Sequence, residues 1–366
     1  MNNKMHMSRH KTLGDLVSGR ENNFDLLRLI LAFLVLIPHS FHLTGYSPRF
    51  FARLFGGYDT SVIAVSAFFI ISGFLISGSL ERRSLVEYFL SRMLRIIPAL
   101  AVVVIVTVFV IGPIFTSSTL VDYFSNYGTY QYLRNIIPYE TYFFLPGVFN
   151  DLPLSGGVNG SLWTIPIEFF CYLALPVLFF LGRRTLNLTI PVLTLLAIFQ
   201  IVDSVNPFFM SMPIYGTVDI LVAVKYGVFF LIGSAIWANR YRIPFNGSLA
   251  IISFSVLVVG SFFGHKLIFL YCGLPYVLVY FAYFRRVFVG GMRKLGDVSY
   301  GAYLFAFPIQ QSLIAICGGA INPWALAVAS GTLTVFIAWI SWRYIEKPAI
   351  MLKSKILRPE MAVQPQ

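Results

Sequence analysis

Ten apolar stretches, at about 26–45, 60–80, 96–115, 162–182, 185–203, 218–238, 248–264, 267–284, 298–317 and 323–342, constrain this chain more than any motif does. Each is near the length that crosses a bilayer. With no water in the hydrocarbon to satisfy exposed backbone groups, such stretches must be helices. The expected fold is therefore all-α, a polytopic transmembrane helical bundle of about ten spans. Composition agrees, since 57% of the 366 residues are hydrophobic and only 11% are charged, which excludes an ordinary soluble globule. The net charge of +12 raises nucleic acid as a partner. The basic residues fall in short clusters between apolar runs, however, so the expected partner is the lipid bilayer and no nucleic acid.

The same clusters give the orientation. With the N-terminus in the cytoplasm, Lys4, Arg9 and Lys11, the group Arg82, Arg83, Arg92 and Arg95, the group Arg285, Arg286, Arg293 and Lys294, and the group Arg343, Lys347 and Lys353 all face inward. Arg49, Arg53, Arg134 and Lys266 face the other way. Both termini are thus expected in the cytoplasm, with an even number of spans. The first apolar run lacks a small-residue cleavage site and reads as a retained helix. Residues 1–22 form a cytoplasmic segment, 23–350 the membrane domain and 351–366 a cytoplasmic tail. The aromatic segment 116–161 lies outside, where its rings serve the interface or stack on a sugar, and Glu81 to Arg95 reads as a short surface helix before Pro98. Cys171, Cys272 and Cys317 lie within apolar runs and are expected as small core residues, with no disulfide framework or metal cluster.

Ionisable groups inside the spans carry the functional signal. Arg28 and His39 lie on the first span with ten residues between them. That spacing puts them on one helix face, about 16 Å apart along the axis. Glu168, on the span that starts near Leu162, is placed at the depth of His39, where a carboxylate would orient the imidazole for general-base work. The competing expectation is a structural ion pair between Glu168 and Lys225. His42, one turn beyond His39, is solvated or assists, and Asp219 sits at a span end. Arg92 and Arg95, at an i, i+3 spacing, join Arg28 near the cytoplasmic face. Three guanidiniums there suit the phosphates of an anionic cofactor or the headgroups of anionic lipid.

Taken together, the motifs resemble acyltransferase family 3. They are Asp25-Leu-Leu-Arg28 with His39, Phe68-Phe-Ile-Ile-Ser72-Gly73-Phe74-Leu-Ile76, Arg92-x-x-Arg95, Asn159-Gly-Ser-Leu-Trp163-Thr-Ile-Pro-Ile-Glu168, Ser299-Tyr300-Gly-Ala-Tyr303-Leu and Arg343-Tyr-Ile-Glu346-Lys-Pro348. They follow the family order and cover about 20 to 350. The resemblance implies an integral membrane enzyme that moves an acyl group, usually acetyl, from acyl-CoA to sugar hydroxyls of O-antigens, exopolysaccharides, lipid-linked glycans or Nod-factor-like oligosaccharides, in the cell inner membrane. By it, His39 and Glu168 are catalytic. Joined to the reading of the spans, Arg28, Arg92 and Arg95 are expected to hold acyl-CoA, Gly73 to let its arm approach the backbone closely or else to pack against another helix, and Trp163, Asn159, Lys225 and Tyr303 to face the acceptor. No metal is implied. One departure is that Ala306 follows Tyr303-Leu-Phe where many members have a histidine. A secondary transporter or flippase using the same buried ionisable groups is the alternative.

Overall fold

A computed structural model describes residues 11–17, 19, 21–183, 185–205, 213–263, 266–284 and 296–357. Ten longer helices organise it: α1 Phe24–Leu43, α2 Thr60–Arg82, α3 Leu85–Val106, α4 Thr164–Leu181, α5 Thr189–Val205, α6 Ile220–Ala238, α7 Gly247–Gly260, α8 Lys266–Tyr283, α9 Ser299–Ile316 and α10 Pro323–Ser341. Among the described residues seven helices are long and apolar enough to cross a membrane, counting α3 as it continues to Phe115 and α10 to Ser354. That is fewer than the ten expected. α5 and α7 are shorter, and α9 carries Gln310, Gln311 and Ser312, which bond inside the bundle. A two-stranded ribbon, Pro213–Tyr215 with Val218–Asp219, is an exception to the all-α expectation. Large apolar side chains such as Phe109 and Val110 near the far end of α3, Ile251 and Phe254 on α7, and Phe336 on α10 point outward, as lipid-facing residues do.

Local sequence explains where helices start. Asp59 caps α2 by accepting from the amides of Ser61 and Val62. Ser84 and Glu87 form a capping box that opens α3. The separate surface helix expected over Glu81–Arg95 is therefore absent: the chain breaks at Arg83 and then runs through Pro98 as one helix. α2 and α6 touch backbone to backbone. A Cβ at Gly73 would collide with the Phe230 carbonyl, and one at Gly233 with that of Ile70, the small-residue contact that membrane helices use. Cys171 is buried, whereas Cys272 and Cys317 are exposed on the bundle surface rather than in the core.

Thr12 bridges to Pro244, and Glu346 lies beside Arg95. Both described chain ends thus share one end of the bundle, called here the terminal end. The segment from Leu154 to Trp163 does not stay at the opposite, far end. Gln311 on α9 donates to the carbonyls of Leu154 (3.2 Å) and Gly157 (2.7 Å). Asn159 then donates to the carbonyl of Leu304, at 3.0 Å. Leu304 is two turns nearer the terminal end, about 10 Å lower. The chain descends as a re-entrant strap before α4 begins, its irregular backbone satisfied by side chains of another helix.

Candidate active site

The strap decides where Glu168 lies. Thr164, at the head of α4, is within 2.9 Å of the Tyr303 hydroxyl, and one turn later Glu168 accepts from Ser72 at 3.2 Å and from the Tyr172 hydroxyl. These groups line a cavity of about 110 Å³ that also takes in Arg28, Arg92, Arg95, Tyr300 and Tyr303. His39 is elsewhere. It lines a second cavity, of about 400 Å³, with His42, Ser47, Arg49, Asp59, Thr60 and Ser61. The expected partnership of Glu168 with His39 is therefore not formed. It assumed that α4 starts at the membrane surface, whereas the strap delivers it to the depth of the arginines.

The three arginines converge as the sequence indicates, but two arrive with carboxylates. Arg95 donates to Asp297 at 2.6 Å and to Glu346 at 2.8 Å, and Arg28 donates to the same Asp297 oxygen at 3.0 Å. Arg95 also stacks over the rings of Tyr300 and Trp342. A π-helical turn, Trp342–Glu346, widens the last helix and turns Glu346 inward, where it is fully buried and accepts from Ser341. Burial works to raise the pKa of Asp297, but Arg95 and then Arg28 more than offset it and hold the carboxyl at about 2. Arg92 differs from both. Its Nε is buried with no hydrogen-bond partner among the described residues. Arg83 and Lys353 stand near enough for their charges to act on it or on each other.

In the second cavity His39 sits four residues from the end of α1, its ring edge-on to Phe307 of α9 at 5.7 Å. Phe307 is the neighbour of Ala306, the position of the departure noted in the sequence. Lys225 does not pair with Glu168 either. Its ammonium lies over the Tyr226 ring at 5.2 Å, and the charge that reaches it is that of Asp59.

Of the remaining expected residues, Gly73, Asn159 and Trp163 make packing and backbone contacts, and Tyr303 reaches a cavity. Gly73 gives its close approach to α6 and is not part of the arginine cavity wall, where its neighbour Ser72 stands instead. Asn159 holds the strap to α9 and caps its own turn through Ser161. Trp163 packs on Tyr226, and Tyr303 lines the arginine cavity. Asp297, Glu346 and Asp59 were missed as site residues, although Glu346 lies inside a motif already recognised. Among the described residues no group of three or more metal-ligating side chains comes together.

The fold and its cavities define a helical protein of the membrane class with one arginine-lined and one histidine-lined polar site. The chain belongs to acyltransferase family 3: the family's acyltransferase domain matches residues 21–343, so this is a multi-pass membrane acyltransferase. It is 29% identical to an O-acetyl transferase of Shigella phage Sf6 over 339 residues, covering 90% of this chain and 96% of the relative. It is 27% identical to nodulation protein 10 of Rhizobium leguminosarum bv. viciae over 373 residues, covering 94% and 98%. No solved structure matches it significantly.

Proposed function

We propose that this protein is a membrane O-acyltransferase that takes an acyl group, acetyl above all, from acyl-CoA and places it on a sugar hydroxyl of a cell-surface or secreted glycan. The O-acetyl transferase name of one relative supports the acetyl group and the oxygen acceptor. The glycan acceptor is carried over from the family resemblance of the sequence motifs. The observation that carries the reading is the pairing of two cavities on one helix, Arg28 lining the first and His39 the second. Acyl-CoA binds from the terminal end, which is cytoplasmic in the inner membrane. Arg92, with Arg83 and Lys353, meets the phosphates, because Arg28 and Arg95 already hold Asp297 and Glu346 and shape the cavity. Ser72, Glu168 and Tyr172 offer polar contacts to the pantetheine arm, which runs along α1 towards His39.

His39 takes the proton of the acceptor hydroxyl as its oxygen attacks the thioester carbonyl. The carbon–sulfur bond then breaks, and the leaving thiolate receives a proton from the imidazolium. Direct transfer needs no acyl-enzyme. The test is free-thiol release from acetyl-CoA by detergent-purified protein, with and without a glycan extract. Glycan-stimulated release is expected, falling by about a hundredfold or more in His39→Ala. A folded wild-type protein that consumes no acyl-CoA under any of these conditions would overturn the reading.

A further inference from the structure

The far-end cavity contains a carboxylate with no role in the reaction so far. Asp59 is the one acidic residue among the described residues lining it, and it shares that wall with His39, His42, Arg49, Thr60 and Ser61. Both of its cap bonds fall on Oδ1, at 2.8 Å from the Ser61 amide and 3.3 Å from that of Val62. The groups around His39 are His42 on its own helix, Arg49 on the short helix Arg49–Leu54, Asp59 at the head of α2 and the uncharged Phe307 on α9, while the Lys266 ammonium of α8 donates to the carbonyl of Gly57 in the same cavity wall, at 2.7 Å. Lys225 and Tyr226 on α6 feel Asp59 in turn. Among these charged groups Asp59 alone is an acid, and its field reaches the His39 ring.

A base that becomes an imidazolium in a low-dielectric site needs a negative charge nearby. Glu168 was the sequence's choice for that place, and it lies in the other cavity. We propose that Asp59 is the positioning residue for His39: across the far-end cavity, its carboxylate favours the imidazolium formed when the ring takes the acceptor's proton. The acceptor hydroxyl therefore enters between α1 and the head of α2, beside Ser61 and Arg49. This rests on the reading of His39 as the base.

The test exploits the two jobs of Asp59. Asparagine caps a helix as well as aspartate does, so Asp59→Asn keeps the start of α2 and removes only the charge. Acetyl transfer is measured from acid to alkaline pH, alongside thermal unfolding in detergent, for wild type, Asp59→Asn, Asp59→Ala and His39→Ala. Asp59→Asn is expected to unfold with the wild type and keep its KM for acyl-CoA. Its kcat should fall by about tenfold to a hundredfold, and the rising limb of kcat/KM should move to lower pH, because an imidazole without its anion deprotonates more easily. Wild-type kcat and an unshifted limb in Asp59→Asn, with loss confined to Asp59→Ala, would reduce Asp59 to a cap and overturn the proposal. Undiminished activity in His39→Ala would overturn the base reading itself, and the Asp59 proposal with it.

Discussion

Arg28, Arg92 and Arg95 share a cavity and a chemistry, and their partners divide their work. Arg95 bridges the fully buried Glu346 and the partly buried Asp297, so Arg95→Ala leaves Glu346 without its counter-ion and is expected to destabilise the protein by about 3 kcal/mol. Arg92 has no carboxylate partner among the described residues. Arg92→Ala should therefore leave the unfolding midpoint within a few degrees of the wild type while weakening acyl-CoA binding, and a calorimetric titration beside a thermal scan separates the two. Asp297 makes a pH prediction. Its folded-state pKa, about 2, is below the ordinary 3.8. A depressed carboxylate contributes its stability fully above the ordinary value and loses it as pH falls towards the folded value, here about 2 kcal/mol. Thermal midpoints taken from neutral pH down towards pH 3 should drop more steeply for wild type than for Asp297→Asn, which starts lower. The arginine cluster was legible because Arg92-x-x-Arg95 is a local spacing. Its counter-ions were not, since Asp297 is 269 residues from Arg28 and Glu346 is 251 from Arg95.

At the scale of elements, hydropathy located the helices and misjudged one depth. An apolar run says that a helix crosses; it does not say where the crossing begins. The strap before α4 is set by Gln311 and Asn159, whose bonds to α9 and from it are long-range in sequence. Nothing local to Leu162 announces it, and Glu168 was accordingly placed beside His39. The Ser84–Glu87 capping box, by contrast, was written in four residues, yet the charged stretch around it read as a surface helix. Ser84→Ala should cost about 1 kcal/mol in thermal unfolding without altering acyl-CoA affinity. Gly73 was legible as a position that admits a close approach. The structure shows that the visitor is the backbone of α6. Gly73→Ala is expected to destabilise by about 2 kcal/mol or more as the two helices separate. A variant with wild-type stability and weakened acyl-CoA binding would return Gly73 to the donor site.

For the whole molecule, the central claim is a division of labour along α1, with donor binding at Arg92's end and proton transfer at His39's. The spacing of Arg28 and His39 indicated two depths on one face. It took the packed bundle to show that those depths open into separate cavities. The division predicts that binding and turnover come apart on mutation. The most direct measurement is acyl-CoA affinity, by calorimetry on detergent-purified protein, for His39→Ala and Arg92→Ala beside the wild type, with thiol release recorded on the same samples. His39→Ala is expected to bind acyl-CoA with wild-type affinity and release almost no thiol, while Arg92→Ala binds at least about tenfold more weakly. Loss of binding in His39→Ala with binding retained in Arg92→Ala would contradict the account, because the donor's phosphates would then sit at the far end.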